Sequence, residues 1–548
     1  LDATGSTAQY GNIAIGFQAL TAQNTATADG IGVTVNPNVA IGADAGAGVT
    51  SGDSNVIVGY SAYSGSGGAG TGDDNVYIGA RAAYTATSGS QNVAIGKDAL
   101  YANTIGGANV AVGHFALNEF NKTGGSGDTN NVAVGYYAMA QIDSTDAVSN
   151  TALGTRALRG SASADNDATL NVAIGYEALV GITNGANNVA VGAGAGVAIT
   201  TGGNNTIVGF GAGYYTSGAD WNVLVGGYAG YKLADTGGSG GDNDGHSSYN
   251  TVVGYQAMSG GDNDSRATNT ANNNVAMGYR ALGGFIGGGI YSTDQSVFTA
   301  SNNVAIGISA MQRATTATGV VAIGTLASSM TTTGDTIVAI GYHALKIEVH
   351  GGHTTAIGSE SLMDLNVGGN TYNTAVGSRS GYNITTGISN VAVGYSALGT
   401  NTVGSYNIAI GHESLNAVNH NANDGTVAIG YKAAFVKVAT VSQYLGSSVH
   451  IGYASGATQT TGTGNTSVGH ATMGGLVGGT ALTGSNNTVM GYSAGYAMHT
   501  ASNANTLIGS TAGNAITTAD NNTAVGYNAG LNITSGSWNT FIGSRTAS

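Results

Sequence analysis

The chain has no cysteine among its 548 residues, so it holds no disulfide framework and no thiol chemistry. It has a single proline, Pro37, and its 94 glycines follow no Gly-X-Y period, which excludes collagen. Charge is scarce as well: Asp, Glu, Lys and Arg make up 8%, against about 25% in an average soluble chain. The 14 basic residues against 28 acidic ones leave a net charge of −14. That balance argues against a nucleic-acid partner, because phosphate binding needs clustered Lys and Arg. No apolar run approaches the roughly 20 residues of a membrane-spanning helix, and LDATGSTAQY lacks a signal-peptide pattern. The sequence opens on Leu1 instead of Met, which reads as a processed product or part of something longer.

What is present is one sentence written again and again. Asn188-Val-Ala-Val-Gly192 returns as Asn205-Thr-Ile-Val-Gly209, and the pattern runs from Asn12 to Asn539 in 28 copies. Of the 27 intervals between anchors, 14 are 17 residues, none is shorter and the longest is 29. A fixed minimum with variable additions means one structural unit with loops inserted at a tolerant place, the mark of a repeat architecture. The alternating, β-branched segment from Asn to Gly predicts a strand of about five residues, and nothing recurs at the helical period. The reading is all-β: a single long parallel β-solenoid over 1–548, with about 28 coils and a 17-residue basic period. At about 4.8 Å per stacked strand, such a coil series extends on the order of 130 Å.

The columns of the repeat carry the detail. The anchor is Asn in 23 of 28 copies, among them Asn92, Asn109, Asn171, Asn188, Asn205, Asn222, Asn390, Asn407, Asn522 and Asn539. Stacked Asn side chains can hydrogen-bond along a ladder and fix register. The third residue after the anchor is always Ile, Val, Leu or Met; it is expected to be buried, inside the coil or against another subunit. The second, mostly Ala, points to the opposite side of the strand, and which of the two faces the interior is left open. The fourth is Gly in all 28 copies, implying positive φ or close backbone approach. The seventh is always Ala, Ser or Thr, so a larger side chain does not fit.

Asn92-Val-Ala-Ile-Gly96, Asn171-Val-Ala-Ile-Gly175 and Asn303-Val-Ala-Ile-Gly307 resemble the head repeats of trimeric autotransporter adhesins. Asn487-Thr-Val-Met-Gly-Tyr-Ser-Ala-Gly495 and Asn522-Thr-Ala-Val-Gly-Tyr-Asn-Ala-Gly530 are similar to repeats of phage and bacterial tail-fibre-like proteins. The resemblance implies a left-handed roll, three chains side by side, displayed outside a cell or virion. The basic period here is longer than in the adhesin heads, and no heptad stalk or terminal membrane barrel accompanies it.

Candidate sites are few. The three long intervals after Asn222 place their insertions together, predicting a lateral lobe over 230–302. That segment contains Asp242, Asp244, Asp262 and Asp264, alternate carboxylates beside glycine that could begin a calcium loop. Solvated polar turns are the plainer reading, with no cofactor; calcium is the alternative. Tyr recurs five after the anchor, at Tyr136, Tyr176, Tyr255, Tyr279, Tyr395, Tyr492 and Tyr527 among others. It suits a stacked aromatic ladder or a stripe for stacking surface glycans. His350-Gly-Gly-His353 with Glu348 could suggest zinc, but the glycines between make a corner the plainer reading, and Gly411-His-Glu-Ser414 looks catalytic only in isolation, since it falls on repeat columns.

The expected function is structural: a self-assembling, non-enzymatic segment of an extracellular, cell-surface or virion fibre. Its first partner is itself, as a lateral homotrimer or an end-to-end polymer, since the first and last copies are full-strength and nothing near them looks like a cap. The alternative is an adhesin or tail-fibre module that recognises glycans. An ice-binding array is disfavoured, because Thr follows the anchor in only some copies.

Overall fold

The computed structural model describes residues 11–23, 37–65, 68–119, 128–142, 147–161, 166–233, 247–259, 270–283, 298–416, 424–435, 446–474, 482–498 and 500–547. They form a parallel β-solenoid with one short strand per coil and no helix. The chain makes two compact units, Leu1–Asn274 with Gly287–Thr299, and Val275–Ile286 with Ala300–Ser548. Numbered along the chain, the first unit holds β1 (Ile13–Ile15) to β13 (Thr251–Val253), and the second β14 (Val275–Met277) to β28 (Thr540–Ile542). Within each unit neighbouring strands pair in parallel and in register, Val93↔Val110 and Ala94↔Ala111 for β5 (Val93–Ile95) with β6 (Val110–Val112).

Strands are three residues long, or four in β17 (Ile337–Ile340) and β18 (Thr354–Ile357), shorter than the five expected. Both ends have a physical reason. The anchor Asn donates its backbone N–H to a neighbouring side chain, Asn109 N to Asn92 Oδ1 at 3.0 Å, and so drops out of the backbone ladder. In β17 and β18 the anchors are Ile337 and Thr354, and there the strand reaches the anchor. At the other end the glycine bends the chain, with φ between +122° and +141° in all 28 copies.

The strand's middle residue faces the interior. Ala94, Ala111 and Ala173 are fully buried, whereas Ile95 is 39% exposed. Of the two places left open for the third-position aliphatic column, its own coil interior is therefore excluded. That column, with the residue just after the anchor, lies on the outer face. The coil is too thin for a branched chain at each middle position, and its core is completed by Leu or Met eight after the anchor, such as Leu100, Leu117, Met139 and Leu179.

Those leucines sit at positive φ, 53° for Leu100 and 50° for Leu179, as do the residues six after and one before the anchor, such as Asp98 (56°) and Gln91 (61°). A left-handed non-glycine costs roughly 1–2 kcal/mol. What offsets it is amide direction. Asp98 N donates back to Ala80 O at 3.0 Å, while Leu100 N donates forward to Ala116 O at 2.9 Å. The alternating turn thus bonds each coil to both neighbours and leaves little backbone unsatisfied.

Candidate functional site

The anchor asparagines form a buried, directional ladder. Asn188 Nδ2 donates to Asn171 Oδ1 at 3.1 Å and to Gly202 O at 2.9 Å, and Asn205 Nδ2 in turn donates to Asn188 Oδ1 at 3.0 Å. The same contact joins Asn92 to Asn75, Asn109 to Asn92, Asn171 to Asn150 and Asn222 to Asn205. In the second unit it joins Asn407 to Asn390, Asn522 to Asn505 and Asn539 to Asn522. Asn390 bonds Asn373 Oδ1 through its backbone N–H at 2.9 Å. Each buried amide thus ties its coil to the coils on either side, which leaves no polar group of the core unpaired there.

A second ladder was missed by the sequence reading. The residue two before the anchor accepts from the backbone of the preceding coil: Asp53 N donates to Asp73 Oδ1 at 2.9 Å, Ser405 N to Asp424 Oδ1 and Asn503 N to Asp520 Oδ1, both at 2.7 Å. The signal was available, since 20 of 28 copies carry Asp, Asn, Ser or Thr at that position.

The outer face is the candidate interaction surface. Its first and third columns hold only Val, Ile, Leu, Met or Thr in every copy, with no charged residue. Ile41, Ile78, Ile95, Leu153, Met277, Ile410, Met490 and Ile508 on it are exposed. Thr occupies the first column in five successive strands from β24 (Thr466–Val468) to β28. Across the glycine lies the aromatic column, where Tyr136, Tyr176, Tyr255, Tyr279, Tyr395, Tyr492 and Tyr527 are all exposed. Through six successive coils of the second unit the rings stack: Tyr395, His412, Tyr431, Tyr453, His470 and Tyr492, with centroids 4.8–5.3 Å apart and planes within 29°. Inner rings of this stack have both faces covered and offer only edges. Tyr176, by contrast, has the smaller Thr155 and Ala193 as its column neighbours.

Charges pair along the next column, one coil to the next. Arg81 Nη2 donates to Asp98 Oδ2 at 2.9 Å, Arg156 pairs with Glu177 at 2.8 Å, Arg379 with Glu360 at 2.9 Å and Lys432 with Glu413 at 3.3 Å. The Arg156 guanidinium holds the Glu177 carboxyl below its ordinary range.

The remaining candidates disperse. Asp242, Asp244, Asp262 and Asp264 lie outside the described residues, as does most of the expected 230–302 lobe. Glu348 is buried and accepts from Gly351 N at 2.7 Å and Val367 N at 3.2 Å, while His350 bonds Thr333 and His353 stacks on Tyr372. No cluster of three metal-ligating side chains occurs among the described residues. In Gly411-His-Glu-Ser414, His412 stacks outside, Glu413 pairs with Lys432 and Ser414 is buried. One histidine stands apart: His450 replaces the buried alanine of its strand, with Nδ1 2.7 Å from Ser467 Oγ and Nε2 without a partner. Burial pushes its pKa down to about 4.

No family model matches the chain, and no curated protein or solved structure matches it either.

Proposed function

We propose that this chain is a structural, self-associating protein, a segment or building block of an extracellular or virion fibre or filament, without catalytic activity. The observation that carries the reading is the uncharged aliphatic outer face repeated in every coil. Exposed apolar columns of this regularity mark an interaction surface. A partner that matches them at each step must share the coil spacing, and a second copy of the chain does so by construction. Charge is kept off this face, and in the column six after the anchor Arg156, Arg379 and Lys432 pair with carboxylates of neighbouring coils.

Native mass by light scattering, with electron micrographs of the same sample, tests it. A discrete particle of a few copies, three if the adhesin resemblance holds, or long filaments of uniform width support self-association. A single chain at every concentration overturns it. Substituting Ile95→Lys, Val191→Lys and Ile410→Lys together is expected to weaken association while the circular dichroism stays unchanged.

A second reading, glycan recognition, is favoured by exposed tyrosines with small column neighbours, Tyr176 above all. Binding on a glycan array that is lost in Tyr176→Ala would support it, and an array with no signal would remove it.

A further inference from the structure

A chain without cysteine cannot staple its coils with disulfides, but it has 28 tyrosines against 8 phenylalanines. The solenoid holds some of those phenols in fixed pairs. Tyr431 and Tyr453, on the aromatic column of neighbouring coils, have ring centroids 5.0 Å apart and planes within 15°. Tyr84 and Tyr101, on an outer column nine after the anchor, stand 5.1 Å apart and within 10°. These two tyrosine pairs stack face to face, whereas the tyrosine–tyrosine contacts at 63–77, 136–137, 214–215, 214–231, 215–231, 228–231 and 228–255 are edge-on or tilted. Both pairs reach solvent, with Tyr431 and Tyr453 at 40% and 43% exposure and Tyr84 and Tyr101 half-buried. Tyr63 and Tyr77 also touch, at 5.1 Å, but edge to face and wholly buried.

We propose that Tyr431–Tyr453 and Tyr84–Tyr101 are oxidative modification sites, at which dityrosine forms as a covalent staple between neighbouring coils. The co-reactant is a one-electron oxidant, a haem peroxidase supplied with hydrogen peroxide. Each phenol gives up one electron and one proton, and one peroxide takes up both pairs to become two waters. The two phenoxyl radicals carry spin on the ring carbons beside the oxygen. A carbon–carbon bond forms between one such carbon of each ring, and the hydrogens on those carbons pass to the oxygens as the rings regain aromaticity. The net change is the loss of two hydrogens per pair. Proximity selects the partner: a radical held beside a second phenol in the same chain meets it at an effective concentration no free chain supplies. The paired rings are exposed or half-buried, so an oxidant reaches their edges, whereas Tyr63 and Tyr77 are wholly buried. The proposal does not depend on self-association, because both rings of each pair belong to one chain.

The test treats the full chain with a haem peroxidase and hydrogen peroxide over a dilution series, reading dityrosine fluorescence and mapping links by peptide mass spectrometry. Links joining 84 to 101 and 431 to 453, each two hydrogens lighter and with a yield per chain independent of dilution, are expected. Tyr101→Phe and Tyr453→Phe keep the ring stack but cannot form a phenoxyl radical, so each should lose its own link and leave the other. Links scattered over isolated exposed tyrosines such as Tyr176, links at 63–77, or a yield that vanishes on dilution would overturn the assignment.

Discussion

A Cβ added to Gly96 or Gly192 would stand 2.5 Å from the carbonyl oxygen of the next coil's glycine, at a φ of +138° that an L side chain rarely adopts. Both faults act together, so Gly192→Ala should cost about 3 kcal/mol or more, read as a lowered urea midpoint. His450 acts through protonation instead. Its folded pKa of about 4 lies below its ordinary value of 6.5, so below pH 6.5 the unfolded chain binds a proton that the folded chain refuses. Stability is complete above pH 6.5 and falls as the pH drops toward 4, by about 3 kcal/mol in all. Hydrogen exchange over 446–474 should accelerate through that window, and His450→Leu should remove the acid dependence while leaving neutral-pH protection in place. Equal acceleration in the variant would assign the effect to another group.

Strands and turns of neighbouring coils compensate one another in volume. In two coils with a leucine at the strand's middle, the position eight after the anchor is glycine: Leu224 packs between Gly213 and Gly230, and Leu507 between Gly495 and Gly513. Leu224→Ala should therefore leave a cavity worth about 3 kcal/mol. Adding Gly230→Leu, which recreates the Ala94 and Leu100 pairing of an ordinary coil, should restore most of it; a double-mutant cycle with no recovery would refute the exchange. The glycine, asparagine and small-residue columns were readable in the sequence, because each is all or mostly one residue type. The inside–outside choice was not readable. Ile is more apolar than Ala and would be placed inside by hydrophobicity alone, but the coil has room for a methyl there once Leu100 and its counterparts fold back beneath it. The left-handed turns were equally hidden, since Leu100, Asp98 and Gln91 are not residues that announce positive φ.

Taken over the whole chain, little stability rests on charge. The four inter-coil ion pairs described above have cations that reach solvent, where water and salt screen the attraction. Unfolding should thus shift little between low and high salt, whereas self-association through an uncharged face in a chain of net charge −14 should strengthen as salt screens repulsion. Sedimentation at two ionic strengths separates the two effects. At this scale the sequence revealed the repeat but no partner, since an exposed aliphatic column and a buried one are spelled alike.

Because the bonds between coils recur at the same pairs of repeat positions, the chain's extent comes in quanta. Residues 320–336 make one complete 17-residue turn, and Asn303 Oδ1, which accepts from Val320 N at 3.0 Å, would meet Ile337 N just as well after their excision. The Thr315 hydroxyl, bonded to Thr332 O at 3.1 Å, would find Val349 O, the partner Thr332 already uses at 3.0 Å. Removing one residue more would leave a 16-residue interval between anchors, shorter than any in the chain. A gene for such a chain can be shortened or lengthened like a measuring chain, link by link.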